Sequence, residues 1–408
     1  MDLIVVIYSI MFFFGIYFLL FFVISYYKNR SNLDYFPEAK KLPSISFLIP
    51  AYNEEKTIGG TLQSLINVDY PKSLKEIIVI DDGSKDNTKQ IVELFVKKHK
   101  EVRLLSKPNS GKANSLNLAI KIAKGELIAV VDADSHPSES SVKMMVGHFQ
   151  DKNVVAVTSK VWIKNKDNFI EKFQDVDYVV IAWTRKLLDF VGCVYVTNGP
   201  LSIYRKNIVK EVGGFDPKNV TEDIELTWNL LSRGYETRMS YSAKVYTVVP
   251  NTLNKWIKQR VRWNIGGLQT LAKYRKFFFR GKNLFGYFVI SYVSLSFILS
   301  LLGLGLFLRF LYYRISPYIT SIPYFFKGYN PFIFIDFNFS MTILLVLGLI
   351  FLILSLFYHK LALRNSEVYS NKISTILIYT FVYRPLYMIP LVWSLFKLII
   401  RDVRWFTK

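Results

Sequence analysis

The chain has 408 residues, enough for two or more structural units, and carries 52 Lys and Arg against 31 Asp and Glu, a net charge of +21. So basic a chain suggests nucleic acid or an anionic membrane surface as its neighbour, and 51% apolar residues with a mean hydropathy of +0.24 favour the membrane. One cysteine, Cys193, excludes an internal disulfide framework and any multi-cysteine metal site, and four scattered histidines give little support to a histidine metal cluster or a Ser-His-Asp triad.

Residues 3 to 27 are almost wholly apolar, longer than the about 20 residues a helix needs to cross a hydrocarbon core. No small-residue cleavage site follows a short apolar core, so the segment reads as an uncleaved helix rather than a signal peptide. Lys28 and Arg30 follow it and only Asp2 precedes it, which places residue 28 onward in the cytoplasm. From about 44 to 250, short β-branched runs alternate with helical stretches. Strands are predicted at 45–50, 76–81, 102–106, 126–132 and 154–159, and helices near 56–68, 87–99, 112–123 and 138–150. This alternation predicts an α/β domain, a largely parallel sheet covered by helices on both faces, with ligands beyond the carboxyl ends of the strands. Three strands end in polar groups that belong on that edge: Ala51-Tyr52-Asn53-Glu54, Asp81-Asp82-Gly83-Ser84 and Asp132-Ala133-Asp134.

The stretch 252–283 has nine Lys or Arg and no acid, and Trp256, Ile257, Val261, Ile265 and Leu268 recur at roughly helical spacing. It has the pattern of basic amphipathic helices lying in a membrane interface, with an ordinary solvated basic face as the alternative. Three further apolar runs follow at 284–310, 341–358 and 373–400, the last carrying Arg384 and two prolines and so expected to be broken or partly re-entrant. Four alternating spans would put Arg401, Arg404 and Lys408 outside, against the usual bias. Either a short aromatic segment near 317–335 also enters the bilayer, or the last run does not cross. The expected organisation is an N-terminal transmembrane helix at 1–30, a cytoplasmic domain at 31–250, amphipathic interfacial helices at 251–283 and a C-terminal transmembrane region at 284–408.

The strand-end acids suggest chemistry. Asp132 and Asp134 lie two apart, so on an extended chain they share a face. Paired carboxylates suit Mg²⁺ or Mn²⁺, which completes its shell with substrate phosphates and water; a turn or helix cap is the plainer alternative. An acid such as Asp81 at the end of a neighbouring strand can hold ribose or base edges, while Asp82 points to the opposite face by alternation. "KPNSGKANSLN" (107–117) sets Lys112 at a helix start, where it meets phosphate charge unless the stretch is only a surface loop. "TEDIEL" (221–226) begins a helix with Thr221 as N-cap and with Glu222 and Asp223 in its first turn. Those acids stabilise the helix dipole or, if Gly213, Gly214 and Pro217 form a loop presenting the helix start at a site, deprotonate an attacking hydroxyl. "QRVRW" (259–263) can place Gln259, Arg262 and Trp263 on one helix face, Arg as a forked phosphate donor and Trp as a flat wall for a sugar; a membrane-interface Trp among basic residues is the alternative.

In order, "PAYNEE", "DDGS", "GKANSLN", "DAD", "TED" and "QRVRW" resemble the motifs of processive family-2 membrane glycosyltransferases of the GT-A fold, the synthases of poly-N-acetylglucosamine, hyaluronan and cellulose. The resemblance covers roughly residues 44 to 270. "TEDIELTWNLLSRGYE" and "GKANSLN" look most like poly-N-acetylglucosamine synthases, and "TNGPLSIYRK" (197–206) is similar to a stretch of hyaluronan synthases. The large regulatory segments of cellulose synthases have no room here. The resemblance implies a GT-A, Rossmann-like domain flanked by transmembrane helices. Ala51, Tyr52, Glu54 and Asp82 would line the uridine pocket, Lys112 would lie near the diphosphate, Asp132 would face the nucleotide sugar and Asp134 would ligate the metal. Asp223, with Glu222 beside it, would supply the general base. Gln259, Arg262 and Trp263 would bind the diphosphate and the acceptor end, and Asn198, Gly199 and Pro200 would shape the acceptor site. Cys193 reads as a small buried residue. The implied activity is inverting, processive transfer from a UDP-sugar, UDP-N-acetylglucosamine favoured, to a β-linked glycan, with the chain passed across the membrane. The implied partners are the UDP-sugar donor, the glycan acceptor, the lipid bilayer and accessory membrane subunits, with no nucleic acid. Two rivals are single-sugar transfer to a lipid phosphate, as dolichol-phosphate sugar synthases perform, and a non-enzymatic basic membrane adaptor. "QRVRW" argues against the first and the strand-end acids against the second.

Overall fold

The computed structural model describes residues 3–280, 284–327, 343–364 and 373–400. The chain separates into two compact units, Met1–Ile24 with Tyr292–Tyr358 and Ser25–Ser291 with His359–Lys408. It opens with the apolar helix α1 (Leu3–Asn29). Then β1 (Ile45–Ala51), α2 (Ile58–Ile66), β2 (Lys75–Asp81), α3 (Thr88–Lys98), β3 (Val102–Ser106), α4 (Lys112–Ile122) and β4 (Leu127–Val130) alternate as the sequence predicts. After β5 (His136–Pro137), α5 (Lys143–Val146) and β6 (Val154–Ile163) come the long helix α6 (Phe169–Asp189), β7 (Ser202–Arg205), α7 (Lys206–Glu211), α8 (Glu222–Ser232), β8 (Glu236–Thr247) and α9 (Leu253–Tyr274). The chain ends in α10 (Ile290–Phe325), α11 (Ile343–Arg364), α12 (Ile373–Ile378), α13 (Arg384–Leu386) and α14 (Met388–Ile399).

Eight strands form one sheet in the order β3-β2-β1-β4-β7-β6-β8-β5. The run β3-β2-β1-β4 is parallel, in register from Ile45 opposite Lys75 to Ala51 opposite Asp81. β7 pairs antiparallel with both β4 and β6, and β5 antiparallel with β8, so the sheet is mixed rather than largely parallel. β1 and β2 are buried on both sides. Phe47, Ile49, Ile77 and Val79 pack with Leu62 and Leu65 of α2 in one core, while Leu48, Ile78 and Ile80 pack with Leu116 and Ile120 of α4 in the other. A strand covered on both faces reads as a continuous apolar run rather than an alternating one. Each fully buried Leu, Ile or Phe contributes about 1.5–3 kcal/mol.

Two expected elements are shorter than predicted. The helix expected at 138–150 shrinks to the single turn of α5 and a 3-10 turn at Gly147–Gln150, because Pro137 and the serines at 138, 140 and 141 favour turns. β4 stops at Val130. Asp132 and Asp134 therefore sit on a turn, closed by the Ser135 N–H on the Asp132 carbonyl at 3.0 Å, not on an extended strand.

Among the described residues four helical segments are long and apolar enough to cross a membrane: Leu3–Asn32, Phe285–Tyr313, Leu344–Arg364 and Ile373–Ile399. The last widens into a π-turn at Tyr379–Tyr383 and is interrupted by a turn at Tyr387. Pro385, just after the π-turn, lacks the N–H an α-helix needs there. Of the aromatic segment near 317–335, residues 317–325 continue α10, and 328–335 lie outside the described residues, as do Arg401, Arg404 and Lys408.

Candidate active site

The loops that leave β1 and β2 are tied to one another. Asn53 adopts φ 54, a left-handed conformation Asn tolerates better than most residues. Its N–H donates to Ser84 Oγ at 3.0 Å, and its Oδ1 accepts the Lys85 N–H at 2.8 Å. The Glu54 N–H reaches Thr88 Oγ1 at 2.7 Å. Asp81 accepts the Ser84 N–H at 3.0 Å, which closes its own turn. Asp82 turns to the other side, where it pairs with Lys107 and accepts the Ser110 and Gly111 N–H groups, both at 2.9 Å. Its carboxylate thereby pins the glycine-bearing loop ahead of α4. Gly111, at φ 91, takes a conformation other residues resist and starts that helix at Lys112.

A cavity of about 390 Å³ opens beyond the strand ends. Its lining includes Lys112, Asp132, Asp134, Glu222, Asp223, Asn198, Gly199, Pro200, Gln259, Arg262 and Trp263. Lys112 bridges Asp132 at 2.7 Å and Glu222 at 2.9 Å. Burial pulls its ammonium down, but Asp132, Glu222 and Asp223 together raise it above its usual value, so it stays charged. Burial, then the Asp132 and Glu54 carboxylates, push the Asp134 carboxyl up to about 7. Burial and neighbouring Glu222, against the pull of Lys112, push Asp223 up to about 6. Gly199 lies against this charged group: a Cβ there would stand 2.7 Å from Asp132 Oδ2 and 3.0 Å from Lys112 Nζ.

The opposite wall is built by docking α9 on the start of α8. A Cβ on Gly266 would stand 2.0 Å from Thr221 Oγ1, so only glycine permits this approach. Around it, the Val220 N–H donates to Gln269 Oε1 at 3.1 Å and Asn219 Nδ2 to Thr270 Oγ1 at 2.9 Å. Lys273 joins Asp216 at 2.7 Å and Glu225 at 2.6 Å. The loop before α8 is held by Asn117 of "GKANSLN", which exchanges hydrogen bonds of 2.8 Å with both the N–H and the carbonyl of Phe215. Thr221 occupies the N-cap position without making the side-chain cap expected of it; its hydroxyl turns to Asn219 Oδ1 at 3.2 Å instead.

The structure thus brings together the residues expected near diphosphate, metal, base and acceptor. Ala51, Tyr52, Glu54 and Asp82 lie apart from this lining. Ala51 is in the sheet core, its carbonyl accepting the Asp82 N–H at 2.8 Å. Tyr52 is half-buried in the turn after β1. Glu54 lines an adjacent open depression with Asn53, Glu55, Lys56, Thr57, Lys85 and Asp86. Cys193 is fully buried, and burial pushes its thiol up to about 12. Sequence reasoning missed Tyr178 and Arg185 of α6 and Tyr195, which also line the cavity. They stand in no motif; the amphipathic pattern of the 21-residue α6 was the only signal for Tyr178 and Arg185, and Tyr195 had none. Arg185 Nη1 donates to Asn198 Oδ1 at 2.5 Å. Two lining polar atoms, Gln259 Oε1 and Asn198 Nδ2, are buried without a hydrogen-bond partner. Among the described residues no group of three or more His, Cys, Asp or Glu forms a ready-made metal cage. Two carboxylates on one turn, one raised toward neutrality by burial and by its acidic neighbours, nevertheless fit a divalent cation that would complete its shell with phosphate oxygens and water.

Residues 46–213 match the model of glycosyl transferase family 2. Over 247 residues the chain is 35% identical to the poly-beta-1,6-N-acetyl-D-glucosamine synthase of Staphylococcus epidermidis, a match covering 60% of this chain and 59% of the relative. It is 34% identical over 235 residues to the synthase of the same name from Staphylococcus aureus, covering 57% of each. The match therefore spans less than two thirds of these relatives' length. Across 97% of this chain and 99% of the other, the fold is similar to that of a mannosyltransferase from Pyrobaculum calidifontis solved with GDP-Man and Mn²⁺, with TM-score 0.63 and 18% identity. The fold of the domain is GT-A.

Proposed function

We propose that the protein is an inverting, processive polysaccharide synthase that transfers N-acetylglucosamine from UDP-N-acetylglucosamine to a growing β-linked glycan at a membrane. The observation that carries this reading is the convergence of Lys112, Asp132, Asp134, Asp223, Gln259, Arg262 and Trp263 on one cavity beyond the strand ends of a family-2 domain. The donor sugar and a β-1,6 linkage follow the named relatives. Four helices of spanning length among the described residues support a multi-pass membrane protein, and the basic Lys28 and Arg30 after the first of them favour a cytoplasmic catalytic domain.

In this reading Asp132 and Asp134 hold Mg²⁺ or Mn²⁺. The ion, when bound, neutralises charge on the diphosphate. Arg262 and Lys112 meet the same charge from the protein side, and the unpaired Gln259 Oε1 accepts a hydroxyl of the ligand. Asp223, half-titrated near pH 6, is mostly ionised at neutral pH and accepts the proton of the attacking acceptor hydroxyl. That oxygen bonds to the anomeric carbon from the face opposite UDP, the bond from carbon to phosphate oxygen breaks, and UDP leaves with the electron pair. An α-linked donor gives a β-linked product. Trp263 gives the acceptor sugar a flat wall.

The test is to incubate purified full-length protein with radiolabelled UDP-N-acetylglucosamine and Mg²⁺ or Mn²⁺ and to size the product. Long chains cleaved by a hydrolase specific for β-1,6-linked N-acetylglucosamine are expected. A single sugar on a lipid, or no transfer from any UDP-sugar, overturns the reading.

A further inference from the structure

Behind Trp263 lies a buried group that the catalytic scheme does not use. Asp177, on α6, accepts from Arg260 Nη2 at 3.0 Å, from the Tyr379 hydroxyl at 2.8 Å and from the Tyr387 hydroxyl. Arg260 sits one turn from the site residues of α9 and is 1% exposed. Its guanidinium lies over the Trp263 ring at 4.0 Å from the centroid, with Tyr387 at 5.4 Å and Tyr178 and Trp256 at 5.8 Å. Beyond Asp177, the Arg260 guanidinium is surrounded by these aromatic rings and by the Tyr383 hydroxyl. Trp256 Nε1 in turn donates to the Tyr383 hydroxyl at 2.8 Å.

A buried ion pair is weak evidence of stabilisation, because its desolvation cost about cancels its attraction and an apolar replacement of equal volume often serves as well. What a pair in an aromatic cage does supply is direction. The guanidinium is planar, and its attraction to a ring face depends on where it is held. Here one cation lies against two of the aromatic residues that line the cavity, Trp263 and Tyr178. Its anion is held by two tyrosines of the last apolar helical segment.

We propose that the Asp177–Arg260 pair is a positioning device for the acceptor wall: it fixes the planes of Trp263 and Tyr178, and it makes the grip on the glycan depend on the segment that carries Tyr379 and Tyr387. The inference rests on the synthase reading given above. It assigns no contact with donor or diphosphate to Arg260, so donor handling is independent of the pair.

The experiment uses the full chain with UDP-N-acetylglucosamine and a β-1,6-linked N-acetylglucosamine pentamer, measuring UDP release as each is varied and the length of the product. Arg260→Lys keeps the charge and loses the planar stack. It is expected to raise the acceptor KM about tenfold, the scale of one cation–π contact, and to shorten the product, with the donor KM unchanged. Tyr387→Phe, which removes one donor to Asp177 and leaves the pair charged, is expected to move the same two quantities in the same direction by a smaller factor, and it carries the test alone if Arg260→Lys does not fold. An unchanged acceptor KM in a folded variant overturns the proposal, and so does a donor KM that rises in step with the acceptor's. If the wild-type protein itself transfers nothing, the synthase reading has failed rather than this one.

Discussion

The strand-end loops beside the cavity and the helical wall that lines it are built by different means. On the side of β1 and β2, short loops are closed by hydrogen bonds between neighbouring strand ends: Asn53 to Ser84, Glu54 to Thr88, Asp82 to Lys107 and the loop beyond it. On the side of α8 and α9, helices are docked by close approach and by aromatic side chains, with Gly266 against Thr221 and Arg260 among Trp263, Tyr178 and Tyr387. Loops tied by many modest bonds tolerate the loss of any one. A wall set by steric fit and one buried charge does not.

The sharpest test of the docked side is its proposed base. Asp223→Asn is expected to lower transfer by about 10²–10⁴-fold while UDP-N-acetylglucosamine binding, followed by calorimetry, persists. Wild-type turnover in that variant would remove Asp223 from the role. The next largest effect is on pH. Because the carboxyl must be ionised to take a proton and is raised to about 6, kcat should fall as pH drops through that value, by about tenfold for each unit below it. A profile flat to pH 5 contradicts the assignment. Where the two sides meet, Gly199→Ala puts a carbon 2.7 Å from Asp132 Oδ2 and should cost roughly tenfold in kcat/KM by displacing that carboxylate. A variant as active as wild type shows that the carboxylate relaxes freely. The smallest effect belongs to the loops. Ser84→Ala removes one bond from the Asn53 N–H and should lower unfolding free energy by about 1 kcal/mol, read from thermal unfolding in detergent, with little change in KM. A large loss of activity there would erase the contrast between the two sides.

The same contrast decides what the sequence could reveal. Alternation of β-branched runs and helices located the parallel half of the sheet, because β1, β2 and β4 are covered on both faces and their composition follows from that. Lys112, Asp132 and Asp223 were legible because each stands at the end or start of an element that local pattern places at the ligand edge. β7 was not legible as an antiparallel insertion: its four residues carry no orientation signal, and its pairing with β4 and β6 is purely tertiary. Nor was the turn under Asp132 and Asp134, since an apolar run does not announce where pairing with β1 stops. Arg260 looked like one more cation in a basic helix. Its partner Asp177 lies 83 residues earlier, and Tyr379 lies 202 residues beyond that aspartate. No spacing rule spans such gaps.

The glycine at 266 has a consequence for how the protein can evolve. Glycine inside a helix costs about 1 kcal/mol relative to alanine, and here it lets one backbone rest on the Thr221 side chain with no cushion between them. The helix bearing Gln259, Arg262 and Trp263 and the residue next to Glu222 and Asp223 therefore share a single bearing surface. A substitution that shifts α9 against Thr221 also moves the first turn of α8, so under the proposed synthase reading a change of acceptor comes from side chains that line the hollow, such as Tyr195 or Arg185, rather than from re-seating the helix.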